Sequence, residues 1–365
     1  MPFDSGSQSF VICQLPKALP DDALERFKAR RAGKLDNIAD EPQVGWVSGR
    51  HLLDTQIEED TARCAGYLYL YLRQAVRKIP ATLFKAECRI EELARLQANQ
   101  SFVLPRKQRR EIRDGVKERL LKQMPPTLSG VPFVIDTNHK ILYLGAASQS
   151  QINAFLGFFD DTIGFEPTPM YPELLAERVC RVKPEDLPVL AFTDQTRRER
   201  PPATLGRDFV TWLWFFQNEK GGTIDLDNGT RFAIAIDGPL QFAAEGPGAM
   251  ESVVRKGTPT ASAEAKAALS VGKKLVRAKF TLAREKDTWD FTLDADTLAA
   301  RGMKLPAGEE LDPVSHFQER VIFLDNFREV LWKLFGTFVE QLSDGKQAKA
   351  LQKEVAAWAA ALRCE

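Results

Sequence analysis

Histidine is scarce in this 365-residue chain, which holds three, at positions 51, 139 and 316. They lie far apart, and none forms HExxH or another paired metal-ligand spacing, so the sequence offers no motif for a histidine-built metal centre. His139 sits in a turn pattern and His316 opens a helical one, so surface or capping roles suit them. The five cysteines (13, 64, 88, 180 and 364) are scattered, with no CxxC pair. That argues against a disulfide framework and a zinc site, and predicts a reducing cytoplasm with mostly buried thiols. No run of 18 apolar residues occurs, which predicts that nothing spans a membrane. The first residues, MPFDSGSQSFVICQL, have no basic segment before an apolar core, so no signal peptide is expected. Gly272-Lys273 lacks the upstream glycine and following Ser or Thr of a phosphate loop, and no GxSxG elbow is present. Net charge is also missing: 50 Lys and Arg balance 50 Asp and Glu.

That balance hides a local excess. Between Arg73 and Pro125 there are 14 Lys or Arg against six acids, a balance of +8, which leaves about −8 for the remainder. A basic arm on a mildly acidic body points to a polyanion partner. A solvated hairpin would have much the same composition. Two helical patterns fill the stretch. One runs from about Ala81 to Asn99, with Leu83, Ile90, Leu93 and Leu96 near one face. The other runs from about Pro105 to Gln123, with Ile112, Val116, Leu120 and Leu121 at three- and four-residue spacing. Pro105 suits a first turn, and the Gln-Ser-Phe-Val-Leu-Pro segment between them reads as the bend of an αα-hairpin.

Around this hairpin the pattern is α+β. Ser9 to Leu15 reads as a strand, and Asp21 to about Arg31 as a helix. Val44 to Val47 is a short strand or turn. Ala65 to Leu72 is a strand with Tyr67, Tyr69 and Tyr71 on one face and leucines on the other. Pro132 to Asp136 and Lys140 to Gly145 form a β-hairpin pattern, followed by a helix from Ser148 to Phe159. The expected organisation is a central domain in two parts (1–78 and 128–180), an inserted helical tip (79–127) and a C-terminal α+β base (181–365). In the base, Pro184 to Pro202 is a Pro- and charge-rich connection with Arg197, Arg198 and Arg200. Phe209 to Phe216 is a buried helix or strand, and Arg231 to Ile236 is a strand. Val314 to Leu342 is a long amphipathic helix suited to core packing or a dimer interface, and an Ala-rich helix runs from Gln347 to Leu362.

A second basic stretch lies between Arg255 and Lys286, with nine cations against Glu264 and Glu285. In strand alternation Lys273, Leu275, Arg277 and Lys279 share one face, and a face carrying those cations would meet phosphates. An ordinary solvated strand face reads the same way. The best catalytic candidate is Asp237 with Glu264 and Lys266, a set able to hold Mg²⁺ and orient a water. Against it, the Glu-x-Lys lies in a helical pattern, and Asp237 precedes Gly-Pro as a turn residue would. No catalytic residue, metal or cofactor is therefore assigned. The tryptophans 212, 214 and 332 lie in apolar runs and read as core. With no exposed aromatic foreseen among the basic residues, contact with a duplex backbone is favoured over single-strand stacking.

The order of these features resembles the recombination-associated RdgC family of bacterial DNA-binding proteins. The residues carrying the likeness are Gly45-Trp46-Val47, the strand into Lys78-Ile79-Pro80, the basic hairpin, and Ile135-Asp136-Thr137 before a strand ending Gly145-Ala146-Ala147-Ser148. Val254-Arg255-Lys256 and Ser270-Val271-Gly272-Lys273 add to it. Residues 9–180 follow the family well and 250–342 more loosely, whereas 209–248 and the tail from Gly345 depart from it. The resemblance implies a homodimer closed into a ring around duplex DNA, with little sequence preference and a restraining effect on RecA-driven strand exchange. It also implies a cytoplasmic, nucleoid-associated protein without enzymatic activity, although an exonuclease label has been attached to the family. The expected phosphate contacts are Arg106, Lys107, Arg109, Arg110, Arg113 and Lys117 on the tip. On the base they are Arg255, Lys256, Lys273, Lys274, Arg277 and Lys279.

Overall fold

The computed structural model describes residues 3–38, 41–193, 204–244, 251–309 and 312–362. Arg197, Arg198 and Arg200 lie outside them. The chain begins β1 (Gln8–Gln14), α1 (Ala23–Ala29), β2 (Gln43–Ser48), α2 (Glu59–Ala62), β3 (Arg63–Cys64) and β4 (Tyr67–Arg77). It continues α3 (Ala81–Ala98), α4 (Arg106–Gln123), β5 (Pro126–Asp136), β6 (Ile141–Leu144), α5 (Gln149–Ile163), β7 (Thr168–Pro169) and α6 (Pro172–Arg178). Then come α7 (Leu205–Lys220), β8 (Thr223–Asp225), β9 (Arg231–Ala243), β10 (Glu251–Val254) and α8 (Ala263–Ser270). Last are β11 (Lys274–Arg284), β12 (Asp287–Asp294), β13 (Ala300–Lys304), α9 (Pro313–Ser343) and α10 (Gly345–Ala361). This is an α+β chain, and its contacts divide it into two compact units.

The larger unit comprises Met1–Leu19, Arg63–Leu68 and Phe133–Glu365. Its antiparallel sheet runs in the order β10, β9, β11, β12, β13, β1, β6, with residues 133–136 of β5 at the end. β1 makes the central joint. Gln8 and Phe10 pair with β13, and Val11 to Gln14 pair with β6. The long apolar stripe of α9 covers sheet residues. Phe327 meets Phe10 and Phe291 at ring-centroid distances of 5.9 and 4.8 Å, and Phe323 meets Trp289 at 5.7 Å. The run from Phe209 to Phe216, open between helix and strand in the sequence, is helical. Eleven of the sixteen residues of α7 are buried, and Gly221 ends it at φ +75°, a left-handed turn that a side chain would strain. The tail helix α10 is part of this core, because Trp358 packs edge-on to Trp214 at 5.3 Å and against Phe215 at 5.7 Å.

The smaller unit comprises Pro20–Ala62 and Tyr69–Pro132. β2 pairs antiparallel with β4 from Gln43–Ala75 to Ser48–Leu70. Tyr69 to Leu72 are all buried, and the Tyr69 and Tyr71 hydroxyls are hydrogen-bonded at 2.8 Å, as side chains on one face of a strand should be. The Gly45-Trp46 pair has a steric cause. Residues 30–32 run beside β2, and a Cβ on Gly45 would stand 2.5 Å from Ala32 Cα, while Trp46 meets Phe27 at 5.1 Å. Arg73 is buried and donates to the carbonyls of Gly33 and Leu52, tying two loops to β4.

α3 and α4 form the helical hairpin. Its core is Cys88, Leu104, Ile112, Val116 and Leu120, with Ile79, Leu83, Phe84 and Leu96 packed against it. The inward face of α3 differs from the expected one. Ile90 and Leu93 are 62% and 49% exposed, and Cys88 and Phe84 take their place. Leu83 and Leu96 pack on the core as the spacing predicts, and the stripe between them runs through Phe84 and Cys88 instead of Ile90 and Leu93.

Candidate nucleic-acid interface

The hairpin's acids are all consumed by its own bases. Arg119 bridges Glu87 at 3.0 Å and Glu91 at 3.3 Å, and Arg95 reaches Glu111 at 3.5 Å, so three pairs cross between the helices. Glu92 pairs with Arg89, Asp114 with Arg110 and Glu118 with Lys122 along single helices. Such exposed pairs are each worth under about 1 kcal/mol. Their larger consequence is that all six acids are held by bases of the hairpin itself. Arg77 is occupied too, donating to the carbonyls of Leu121, Lys122 and Met124 at the C-terminal end of α4.

The cations that remain concentrate at the other end of α4. Arg106, Lys107 and Arg109 are exposed, and among the described residues none of the three has an acidic partner. They occupy the first turn, which contains no acid, and Pro105 before it supplies no side-chain cap. Three cations beside the positive end of a helix are unfavourable on their own. Free backbone N–H groups and cations together make an end that attracts anions. Arg113 is exposed and lies over the Phe84 ring at 5.8 Å, and Lys117 is exposed one turn further on. Arg110 is exposed but shared with Asp114 at 3.8 Å.

The second basic stretch is arranged otherwise. Lys274 is not a surface residue. It is 4% exposed and its Nζ is hydrogen-bonded to Asp208 Oδ1, a side chain with no exposure at all. Asp208 also accepts the Leu190 N–H at 3.1 Å. A phosphate contact by Lys274 is therefore ruled out by burial. Arg277 donates to Asp294 at 2.8 Å, Lys279 lies 3.5 Å from Asp237, and Lys273 donates to Ser252 at 2.6 Å. Simple alternation fails because β11 is irregular against β9 between Leu275 and Arg277, which buries Leu275 and leaves Arg277 exposed. Arg255 and Lys256 are exposed just after β10, with Lys256 at φ +68°.

The residues considered for metal-assisted cleavage do not converge. Asp237 is inside β9, paired in register with Lys279, rather than in a turn. Glu264 and Lys266 stand on α8, where residues two apart point to roughly opposite sides. Among the described residues no group of three or more His, Cys, Asp or Glu could hold a metal ion, and no helix is long and apolar enough to cross a membrane.

Trp212 and Trp214 are buried, as the apolar run implied. One aromatic escaped the sequence reading. Phe102, in the hairpin bend, is 98% exposed, which removes the premise that the basic residues have no exposed aromatic beside them. Its signal was a phenylalanine outside either helical stripe, in the bend from Gln100 to Pro105.

Comparison with known proteins places these features. Residues 13–179 match the family model described as "Putative exonuclease, RdgC". That segment is similar to the RdgC family. Recombination-associated proteins RdgC from Bordetella parapertussis, Bordetella pertussis and Bordetella bronchiseptica are each 26% identical to it over 200 residues. The match spans 54% of this chain and 60% of each relative. The hairpin lies inside the RdgC family match, whereas residues 255–279 lie beyond its end.

Proposed function

We propose that this chain is a non-enzymatic, sequence-tolerant DNA-binding protein that acts in recombination, with the α3–α4 hairpin as its principal phosphate-binding element. The supporting observation is the charge arrangement within the hairpin. Its acids are paired internally, while Arg106, Lys107 and Arg109 stand exposed in a helix first turn without acidic partners. Arg113 and Lys117 continue the exposed basic side of α4, and Arg110 adds a shared charge. Arg255, Lys256 and Lys273 are secondary contacts, and Arg277 and Lys279 would first have to give up Asp294 and Asp237. All of these would position the backbone rather than read bases, so the protein would bind many sequences. By the printed names of its relatives the setting is recombination. The reading includes a homodimer closed as a ring around duplex DNA, the hairpin as its tip, association with the nucleoid, and restraint of a RecA-type recombinase.

The test is a titration of binding to a labelled random duplex against salt, with and without Mg²⁺ and with the DNA examined afterwards on a denaturing gel. Intact DNA and an affinity that falls steeply with salt support the reading. An affinity indifferent to salt would overturn it. The family model's description keeps a second reading in view, a Mg²⁺-dependent exonuclease. Shortening of DNA only with Mg²⁺, abolished by Asp237→Ala, would establish that instead.

A further inference from the structure

Phosphate contact gives no role to the bend's most exposed apolar side chain, Phe102. α3 ends in a left-handed turn at Gln100, φ +47°, whose N–H reaches the Gln97 carbonyl at 3.2 Å while the Ser101 N–H reaches Leu96 at 3.1 Å. Ser101 Oγ then accepts the Val103 N–H at 3.3 Å and donates to the Val103 carbonyl at 3.0 Å. Leu104, 4% exposed, is anchored in the hairpin core. Between these fixed points Phe102 is held 98% exposed and Val103 69% exposed. The turn is thus built with specific bonds on both sides of a phenyl ring that packs on almost nothing.

We propose that Phe102 is a base-stacking residue that lays its ring on an unpaired base of single-stranded nucleic acid. This rests on the reading of the hairpin as a nucleic-acid interface. The choice of occupant follows from charge. Arg106, Lys107 and Arg109 follow four to seven residues later and attract a polyanion, and the apolar surface a nucleic acid offers is the face of its bases. Every base has such a face, so stacking keeps the binding sequence-tolerant. A duplex already stacks its bases internally, and inserting a ring there requires opening a step. A single strand presents its bases free. Phosphate-binding cations would hold both forms, and Phe102 would add affinity for the unpaired one.

The experiment compares the full-length protein with Phe102→Ala and Phe102→Trp. Each is titrated with a mixed-sequence single-stranded oligonucleotide containing one 2-aminopurine and with the matching duplex, and each is sedimented alone. Because Phe102 touches almost nothing, the alanine variant should fold as the parent does. The expected result is a loss of about tenfold in single-strand affinity for Phe102→Ala, with duplex affinity changed by less than about twofold and Phe102→Trp close to the parent. The 2-aminopurine signal should respond to the parent and lose that response in the alanine variant. Single-strand affinity unchanged in Phe102→Ala, or an equal loss on both forms, overturns the proposal. So does a loss of self-association with DNA binding intact, which would assign the ring to a second copy of the chain. If the parent binds neither form, the interface reading fails, and this inference with it.

Discussion

The hairpin of α3 and α4 and the strand β11 are both rich in Lys and Arg, and they use that charge in different ways. In the hairpin, acids pair across and along the helices and leave a cationic end on α4. In β11 the cations are taken up singly. Lys274 goes to the buried Asp208, Arg277 to Asp294 and Lys279 to Asp237. The lesson is that charge balance over a stretch says little about a binding surface until the partners are known. A helix exposes most of its surface and can spare cations, whereas a central strand flanked by β9 and β12 has neighbours that supply acids from both sides.

The largest effect that would sharpen this contrast is on stability. Lys274→Ala leaves Asp208 buried without its cation and should cost about 3–5 kcal/mol, as removal of one partner of a buried pair does. Denaturant unfolding checks it, and a cost below about 1 kcal/mol would mean that water reaches the pair. Next comes the hairpin core. Leu120→Ala removes a 3%-exposed side chain and should cost about 2–5 kcal/mol. It should weaken DNA binding through loss of the hairpin's shape while Lys274→Ala, once folded, leaves binding unchanged.

The smallest effect is a pH dependence belonging to neither basic stretch. In the β5–β6 turn, burial acts to raise the Asp136 carboxyl, but hydrogen bonds from the His139 ring at 2.6 Å and from the His139 and Asn138 N–H groups hold it below its usual value. The same carboxylate raises His139. The histidine's contribution is complete below its unfolded pKa, about 6.5, and is lost as pH rises through the raised folded value. The aspartate's contribution is complete above about 3.9 and is lost as pH falls through the lowered folded value. The pair should therefore stabilise most between about pH 4 and 6.5, by a small amount because His139 is largely exposed. Thermal unfolding of the parent and His139→Gln across pH 5 to 9 checks this on the histidine side, the variant showing the flatter profile.

Much of the fold was legible in the sequence. The period-two alternation of Tyr69 to Leu72 and the 3.6-residue stripe of α9 identified their elements because one dominant environment shapes each. The hairpin helices were legible for the same reason, with Ile112, Val116 and Leu120 buried as spaced. What escaped depends on partners distant in sequence. Lys274 looks like any strand lysine until Asp208, 66 residues earlier, is brought beside it. Asp237 looks like a turn residue before Gly-Pro, yet the strand continues through it to pair with β11 and β10. Ile90 and Leu93 looked like core because they are apolar, and the place of Phe102 in the bend marked it as outside both stripes without telling whether the bend would hold it outward or fold it in.

The central claim is that phosphate binding resides in the hairpin end and not in β11. It is tested most directly by the slope of log affinity against log salt on a random duplex. The proteins to compare are the parent, the triple variant Arg106→Ala/Lys107→Ala/Arg109→Ala and the double variant Arg277→Ala/Lys279→Ala. Each phosphate contact removed should flatten the slope by about 0.9, so the triple variant should lose about 3 and the double variant almost none. A triple variant with the parent's slope, or a double variant that loses as much as the triple, would contradict the account.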